Sequence, residues 1–177
     1  MTDDDVRAWW RQQIAPESGP VRATRARLRR AHGWQEAMLE PAAIALAACL
    51  HTLDHEQRLR MALRLSTVLA HVKEDAPGQR LMGALGHAAA DPPRLARQRF
   101  TRLLRSTPDE LPMALIRLVR LAGGVANVGE LGGAMMRWVH EGSREHQRRR
   151  WAFDYFNASA AAPHSDSDTA EPEGISA

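Results

Sequence analysis

Cys49 is the only cysteine in this chain. A single thiol excludes an internal disulfide and any metal site built from several cysteines, and it fits a reducing cytosol. Lys73 is the only lysine, so every other basic side chain is arginine. Aromatic residues make up 5% of the sequence, so the core has to be built from Leu, Ala, Met and Val. Runs of alternating β-branched residues are missing, which argues against a sheet-based fold. No apolar stretch approaches the ~20 residues of a membrane span. The best candidate, Ala42 to Leu50, is far too short, and the opening acids Asp3-Asp4-Asp5 do not suit a secretory signal. The expectation is a cytoplasmic protein without a membrane partner.

The chain has 177 residues, of which 44% are apolar. That is enough for one compact domain or two small lobes. Apolar positions recur at helical spacing almost throughout. The fold class expected is therefore all-α, a bundle of about eight to ten short helices, either in one piece or as lobes 1–90 and 91–156. The expected helices run from Asp4 to Ile14, from Pro20 to about Ala31, through a short turn at Trp34 to Glu40, and from Pro41 to His51. Further ones run from an Asp54 cap to about Val72 and from Arg80 to Ala89. Another, capped by Asn127 and Glu130, passes through Met135, Met136 and Trp138, and a last one follows the Gly142-Ser143 break, from Arg144 to Phe156. Adjacent Trp9 and Trp10 point to different sides of a helix, so one is expected in the core and the other under a partner. Arg150 and Asp154 are spaced as an i, i+4 pair.

The most informative stretch is 94–122. Ala96, Phe100, Leu103 and Leu104 fall on one side of a helix, and Arg94, Gln98, Arg102 and Arg105 on the other. Ser106 ends it. Thr107, Pro108 and Glu110 then form a capping box for a second helix, whose stripe is Leu111, Leu115, Leu118 and Ala122. Arg117 and Arg120 lie opposite that stripe, and Gly123-Gly124 stops the helix. Earlier in the chain, Val21, Leu28 and Ala31 leave Arg22, Arg25 and Arg29 aligned on another side, with Arg30 nearby and no interleaved acids. Arginine binds phosphate through two parallel hydrogen bonds and stacks on bases. Arg22, Arg25, Arg29 and Arg30 are thus expected as one nucleic-acid-binding strip, and Arg102, Arg105, Arg117, Arg120 and Arg144 as another.

Charge is unevenly distributed. From Asn157 onward the chain has no Lys or Arg but four acids, Asp166, Asp168, Glu171 and Glu173. Without them the remainder carries 24 basic and 17 acidic residues, a charge of about +7, against +3 overall. The expected organisation is a helical nucleic-acid-binding domain over 1–156 and a disordered acidic tail over 157–177.

Catalytic constellations are scarce. The glycine pairs at 123–124 and 132–133 lack the following lysine of a phosphate loop. The pattern His51-x-x-Asp54-His55 evokes helical metal-dependent phosphohydrolases, but their His-Asp order is reversed here, and nothing fixes the spacing of His32, His71 and His87 as further ligands. An aspartate cap with surface histidines is the simpler reading. No cofactor is expected, Met135-Met136 read as core, and Cys49 reads as a small buried hydrophobe.

The order of several segments resembles a known family. These are Val6-Arg7-Ala8-Trp9-Trp10, Arg25 to Ala31, Arg99-Phe100 through Arg105, Leu115 to Val119, Trp138 and Asp154-Tyr155-Phe156. Over residues 5–156 they resemble the small subunit of the type I-E CRISPR Cascade complex, the CasB family. That family often has Leu-Arg-Arg-Leu where this chain has Ile116-Arg117-Leu118, the next arginine being Arg120. The resemblance implies a non-enzymatic, all-helical subunit of an antiviral crRNA-guided complex, present as a pair of copies. Its partners would be the second copy, the backbone and large subunits, the crRNA–target DNA and the displaced DNA strand, whose binding stabilises the R-loop. Two other readings stand beside it: a protein-interaction scaffold whose arginines serve solubility, and a phosphohydrolase using His51 and Asp54.

Overall fold

The computed structural model describes residues 3–87 and 89–156. The expected acidic tail, 157–177, lies outside the described residues. In chain order the elements are α1 (Asp3–Gln13), α2 (Gly19–Arg30), α3 (Trp34–Ala37), α4 (Pro41–Cys49), α5 (Glu56–Leu69), β1 (Glu74–Asp75), α6 (Leu81–Leu85), α7 (Arg97–Leu104), α8 (Leu111–Leu121), β2 (Val125–Ala126), α9 (Val128–Arg137) and α10 (Glu141–Phe156). The fold is all-α, as the periodicity implies. The exception is a parallel pairing of Glu74 with Val125 and Asp75 with Ala126.

Buried side chains from Val6 to Tyr155 join in one hydrophobic cluster. At its centre lies α9, in which every residue from Val128 to Met136 is buried. Its neighbour α1 comes close because α9 is rich in glycine. A Cβ on Gly132 would stand 2.7 Å from Val6 Cγ2. Asn127 caps α9, accepting from the Glu130 N–H at 3.0 Å and donating to the Pro77 carbonyl at 2.6 Å. The Glu130 carboxylate turns elsewhere and accepts from Leu81 N–H at 3.1 Å, which satisfies an orphan donor at the start of α6. Burial raises the Glu130 pKa above the usual carboxylate value.

Several expectations are corrected. Trp9 and Trp10 are both buried, and neither is left for a partner. The α1 helix lies against α4, α5 and α9, so each indole finds an acceptor: Trp9 Nε1 donates to Ala42 O at 2.8 Å and Trp10 Nε1 to Leu69 O at 3.3 Å. The N-cap of α5 is His55 rather than Asp54, without a side-chain cap bond. Gly142-Ser143 is not the break before the last helix: the break falls at residues 138–140, and the glycine lies in the first turn of α10. Asp154 pairs not with Arg150 but with Arg80, at 2.5 Å, because α6 packs on α10.

The expected helix over 80–89 stops at Leu85. Gly86 is extended there and passes against the end of α10, where a Cβ would stand 2.2 Å from Tyr155 O and 2.8 Å from Met82 O. Both obstacles are backbone, so no side chain can swing aside. Gly86→Ala should destabilise the protein by roughly 1–3 kcal/mol. The check is the midpoint of urea unfolding at unchanged slope; an unaltered midpoint would show that this approach is looser than the geometry implies.

Candidate nucleic-acid interface

Two short helices and the turn between them build the site. In α7, Phe100 and Leu103 are buried, joined by Leu95 just before the helix. Leu95 takes the core position expected of Ala96, which is exposed. Phe100 stacks on Tyr155, with ring centroids 4.0 Å apart and planes 4° from parallel. Tyr155 Oη donates to Leu95 O at 2.7 Å. The helix ends at a buried Ser106, whose carbonyl accepts from Trp138 Nε1 at 3.1 Å.

The capping box then forms as read from the sequence. Glu110 Oε2 accepts from Thr107 N–H at 2.9 Å, and Glu110 N–H donates to Thr107 Oγ1 at 3.3 Å. These bonds from Thr107, backbone first, lower the Glu110 pKa. The helix proper starts not at Pro108 but three residues later, at Leu111 with Glu110 as its N-cap, and its stripe of Leu111, Leu115 and Leu118 is buried. It ends at the glycine pair, whose φ angles of 76° and 90° are left-handed.

A cleft of about 420 Å³ opens between α7 and α8. The buried Leu95, Leu103 and Leu118 form its floor, while the exposed Arg99, Arg102, Arg117 and Arg120 form its walls. Arg102 also borders a second depression of about 330 Å³, shared with Gln98, Thr101 and Arg105. Among the described residues, none of Arg99, Arg102, Arg105, Arg117 and Arg120 forms an ion pair. Arg94 closes off Leu121, donating to its carbonyl at 2.6 Å.

The strip on α2 is used differently. Arg25 grips the Glu17 carboxylate through both terminal nitrogens, at 2.9 and 3.2 Å, and also reaches Ile14 O. That contact, with added attraction from Arg22 and Arg29, lowers the Glu17 pKa. Arg29 Nε donates to Ala70 O at 2.6 Å, at the carboxyl end of α5, where a cation is favoured. Arg22 and Arg30 are exposed, Arg30 bonding only its own helix at Ala26 O. The two strips meet where Arg29 and Arg120 act on each other and on His71 across the end of α5. Arg144 stands apart: it bonds Trp138 O at 3.1 Å and pairs with Glu141 at 2.9 Å, with its side chain 15% exposed.

Two participants were absent from the expected set. Arg99 is one turn from Arg102, and that spacing was a usable signal. His71 had none, because its neighbours come from α2 and α8. As for His51 and Asp54, both are exposed, and His51 has a φ of 51° just past the end of α4. Among the described residues no group of three or more His, Cys, Asp or Glu is placed to hold a metal ion. No helix among them is long and apolar enough to cross a membrane.

An all-α bundle carrying an arginine-walled cleft is thus what the chain presents, and its fold has relatives. It is similar to the crystal structure of CasB from Thermus thermophilus, with a TM-score of 0.64 and 21% identity over 88% of this chain and 98% of that one. It is also similar to a chain in the crystal structure of E. coli Cascade bound to a PAM-containing double-stranded DNA target, with a TM-score of 0.57 and 21% identity over 89% and 97% of the two chains. No curated protein sequence matches. The family model for CRISPR-associated protein Cse2 matches residues 24–156, and the chain belongs to that family.

One titration reports on the burial of His71 where the strips meet. Burial, then the charges of Arg120 and Arg29, push the His71 pKa down from 6.5 to about 4. In the unfolded chain the imidazole titrates near its ordinary ~6.5. Between these values the unfolded state takes up a proton that the folded state refuses. This group therefore reduces stability as pH falls from about 6.5 towards about 4, and contributes no pH dependence above that window. Proton NMR should find the His71 midpoint near 4, and Arg120→Ala should move it upward. A wild-type midpoint at the free-histidine value would refute the placement of His71 beside these two arginines.

Proposed function

We propose that this chain is the small, non-catalytic subunit of a crRNA-guided Cascade complex. There it stabilises the R-loop by binding the displaced DNA strand and supporting the guide–target heteroduplex. One observation carries the reading: Arg99, Arg102, Arg105, Arg117 and Arg120 gather around the cleft of α7 and α8 without acidic partners, whereas many arginines elsewhere are paired. Arg7 pairs with Asp75, Arg27 with Glu40, Arg64 with Asp109 and Arg80 with Asp154. Cations used for folding are neutralised internally, and those left over are available to phosphates. Membership of the Cse2 family and the likeness to a chain of DNA-bound E. coli Cascade support the same assignment.

In this reading the 1–156 region is the nucleic-acid-binding unit of a cytoplasmic assembly. Its partners are a second copy of itself, the backbone and large subunits, the crRNA–target DNA and the displaced strand. The phosphate-binding side chains are Arg102, Arg105, Arg117 and Arg120, joined by Arg99. Of the α2 strip of Arg22, Arg25, Arg29 and Arg30, the exposed Arg22 and Arg30 continue the track past His71, while Arg25 is held by Glu17 and Arg29 by the Ala70 carbonyl. Arg144 contributes at most through its exposed fraction. Arginines directed at phosphate give affinity without base readout, so binding is independent of sequence and sensitive to salt. Exchange of one duplex for another during R-loop formation is close to energetic balance, and backbone contacts tip it.

The double variant Arg102→Ala with Arg117→Ala tests this. Both side chains are exposed, so folding should survive. For a single strand, every phosphate left without its arginine should reduce the salt slope by roughly 0.7. R-loop formation by the reconstituted complex should weaken and its salt dependence flatten for every target sequence. Arg27→Ala, which removes a paired arginine, should leave the salt slope unchanged. Wild-type affinity and slope in a normally folded double variant would remove the cleft from the interface.

A further inference from the structure

Exposed aromatic rings form a second surface beside the cleft. Phe153 is 59% exposed and Phe156 is 46% exposed on α10, whose Trp151 and Tyr155 are buried. With Arg149 they are spaced i, i+4 and i+7, so the three share one face of α10. Phe156 lies nearly parallel to His87, with centroids 5.8 Å apart and planes 14° from parallel. Its edge meets Tyr155 at 4.9 Å and 90°.

The rings stand on a fixed base. His87 N–H donates to Tyr155 O at 2.8 Å, and Tyr155 is itself fully buried against Phe100. The Tyr155 hydroxyl bonds the carbonyl of Leu95, and Leu95 also lines the arginine cleft. The platform and the cleft therefore adjoin across the start of α7, where Arg97 and Arg99 are exposed. Among the described residues neither Arg97 nor Arg149 has an ion pair.

We propose that Phe156 and His87, with Phe153 beside them, form a stacking platform for bases of a single-stranded nucleic acid whose phosphates engage the neighbouring arginines. This rests on the phosphate-binding reading of the cleft and extends it from backbone to base. Flat rings rimmed by unpaired cations match both parts of an unpaired nucleotide, and stacking tolerates any sequence because every base has a π-face. An apolar protein partner would gain nothing from the cationic rim. The positive charge fits a polyanion.

The test uses the full chain and two probes of equal length, an oligothymidylate and its abasic counterpart, at one salt concentration. Phe156→Ala should weaken oligothymidylate binding roughly tenfold, and Phe156→Trp should restore it. The abasic strand should bind the wild type about as weakly as the alanine variant binds oligothymidylate, and should not respond to either substitution. With 5-iodouracil in the strand, photocrosslinks should map to His87, Phe153 or Phe156. Phe153→Ala serves in the same way if Phe156→Ala melts early. Equal, salt-sensitive binding of both strands by the wild type would overturn the platform and leave the phosphate reading standing. Failure to bind either strand at low salt would overturn both. Crosslinks confined to other surfaces would assign the exposed rings to something other than bases.

Discussion

A helix with no solvent-facing side needs neighbours all round it, and α9 imposes that constraint here. Its apolar residues cannot be satisfied by one packing partner, so α1, α5 and α10 all lie against it. Small side chains let them come near: Gly129, Gly132 and Gly133 leave no room for a Cβ beside α1 or the Arg137 side chain. The polar groups at its start are spent on fixing those neighbours. Arg7 of α1 pairs with Asp75 at 2.9 Å and reaches Asn127 at 3.0 Å, while Asp75 accepts from Val128 N–H at 3.0 Å. That knot ties α1, the short parallel pairing and the cap of α9 together. Once α9 and α10 are placed, Trp138 anchors the turn after α7, and Tyr155 anchors its beginning. The cleft follows from these two anchors, because Leu95 and Ser106, whose carbonyls they hold, both line it.

The arginines divide into two populations by what they touch. Arg7, Arg25, Arg27, Arg60, Arg64, Arg80, Arg144 and Arg148 each meet a carboxylate. Exposed pairs of this kind contribute little to stability, typically under about 1 kcal/mol, but they remove a charge from the outward field. What stays unpaired includes a concentration on α7 and α8, namely Arg99, Arg102, Arg105, Arg117 and Arg120, with Arg22, Arg29 and Arg30 on α2 and scattered cations such as Arg11, Arg58 and Arg149 elsewhere. Composition alone, which is nearly all arginine among the cations, does not show this concentration. It emerges only when each guanidinium is followed to its partner.

Much of this was legible in the sequence. Helical periodicity marks the elements, the Thr107–Glu110 box and the Gly123-Gly124 stop form where local rules place them, and the two faces of the α7–α8 segment are visible on a helical wheel. Local rules failed where a distant segment offered a better partner. Arg150 and Asp154 have ideal helical spacing, yet Arg80, distant in sequence, takes the carboxylate. Arg25 looked free because Glu17, which binds it, lies before the helix begins. Arg29 is drawn to the carbonyl of Ala70, a contact between segments that no helical wheel relates. Phe153 and Phe156 are of the residue type that fills a core, and only their exposure sets them apart. In each case the missing quantity is the same: which surface of a correctly placed helix the rest of the chain covers.

The separation between what folds the protein and what charges it has an energetic side. Arg29 and Arg120 repel each other, and together with burial, the larger cause, they keep His71 from taking up a proton at its ordinary pKa. In the proposed function a polyanion would relieve this repulsion as it binds. The affinity of the cleft would then include energy stored in the free protein, and dissolved salt would draw on the same store by screening. Such an arrangement is tolerable only because the floor beneath the charges is made of Leu95, Leu103 and Leu118, whose burial does not depend on the arginines above them. Apolar packing holds the walls in place, and the walls are free to remain cationic, as the proposed binding of a phosphate backbone requires.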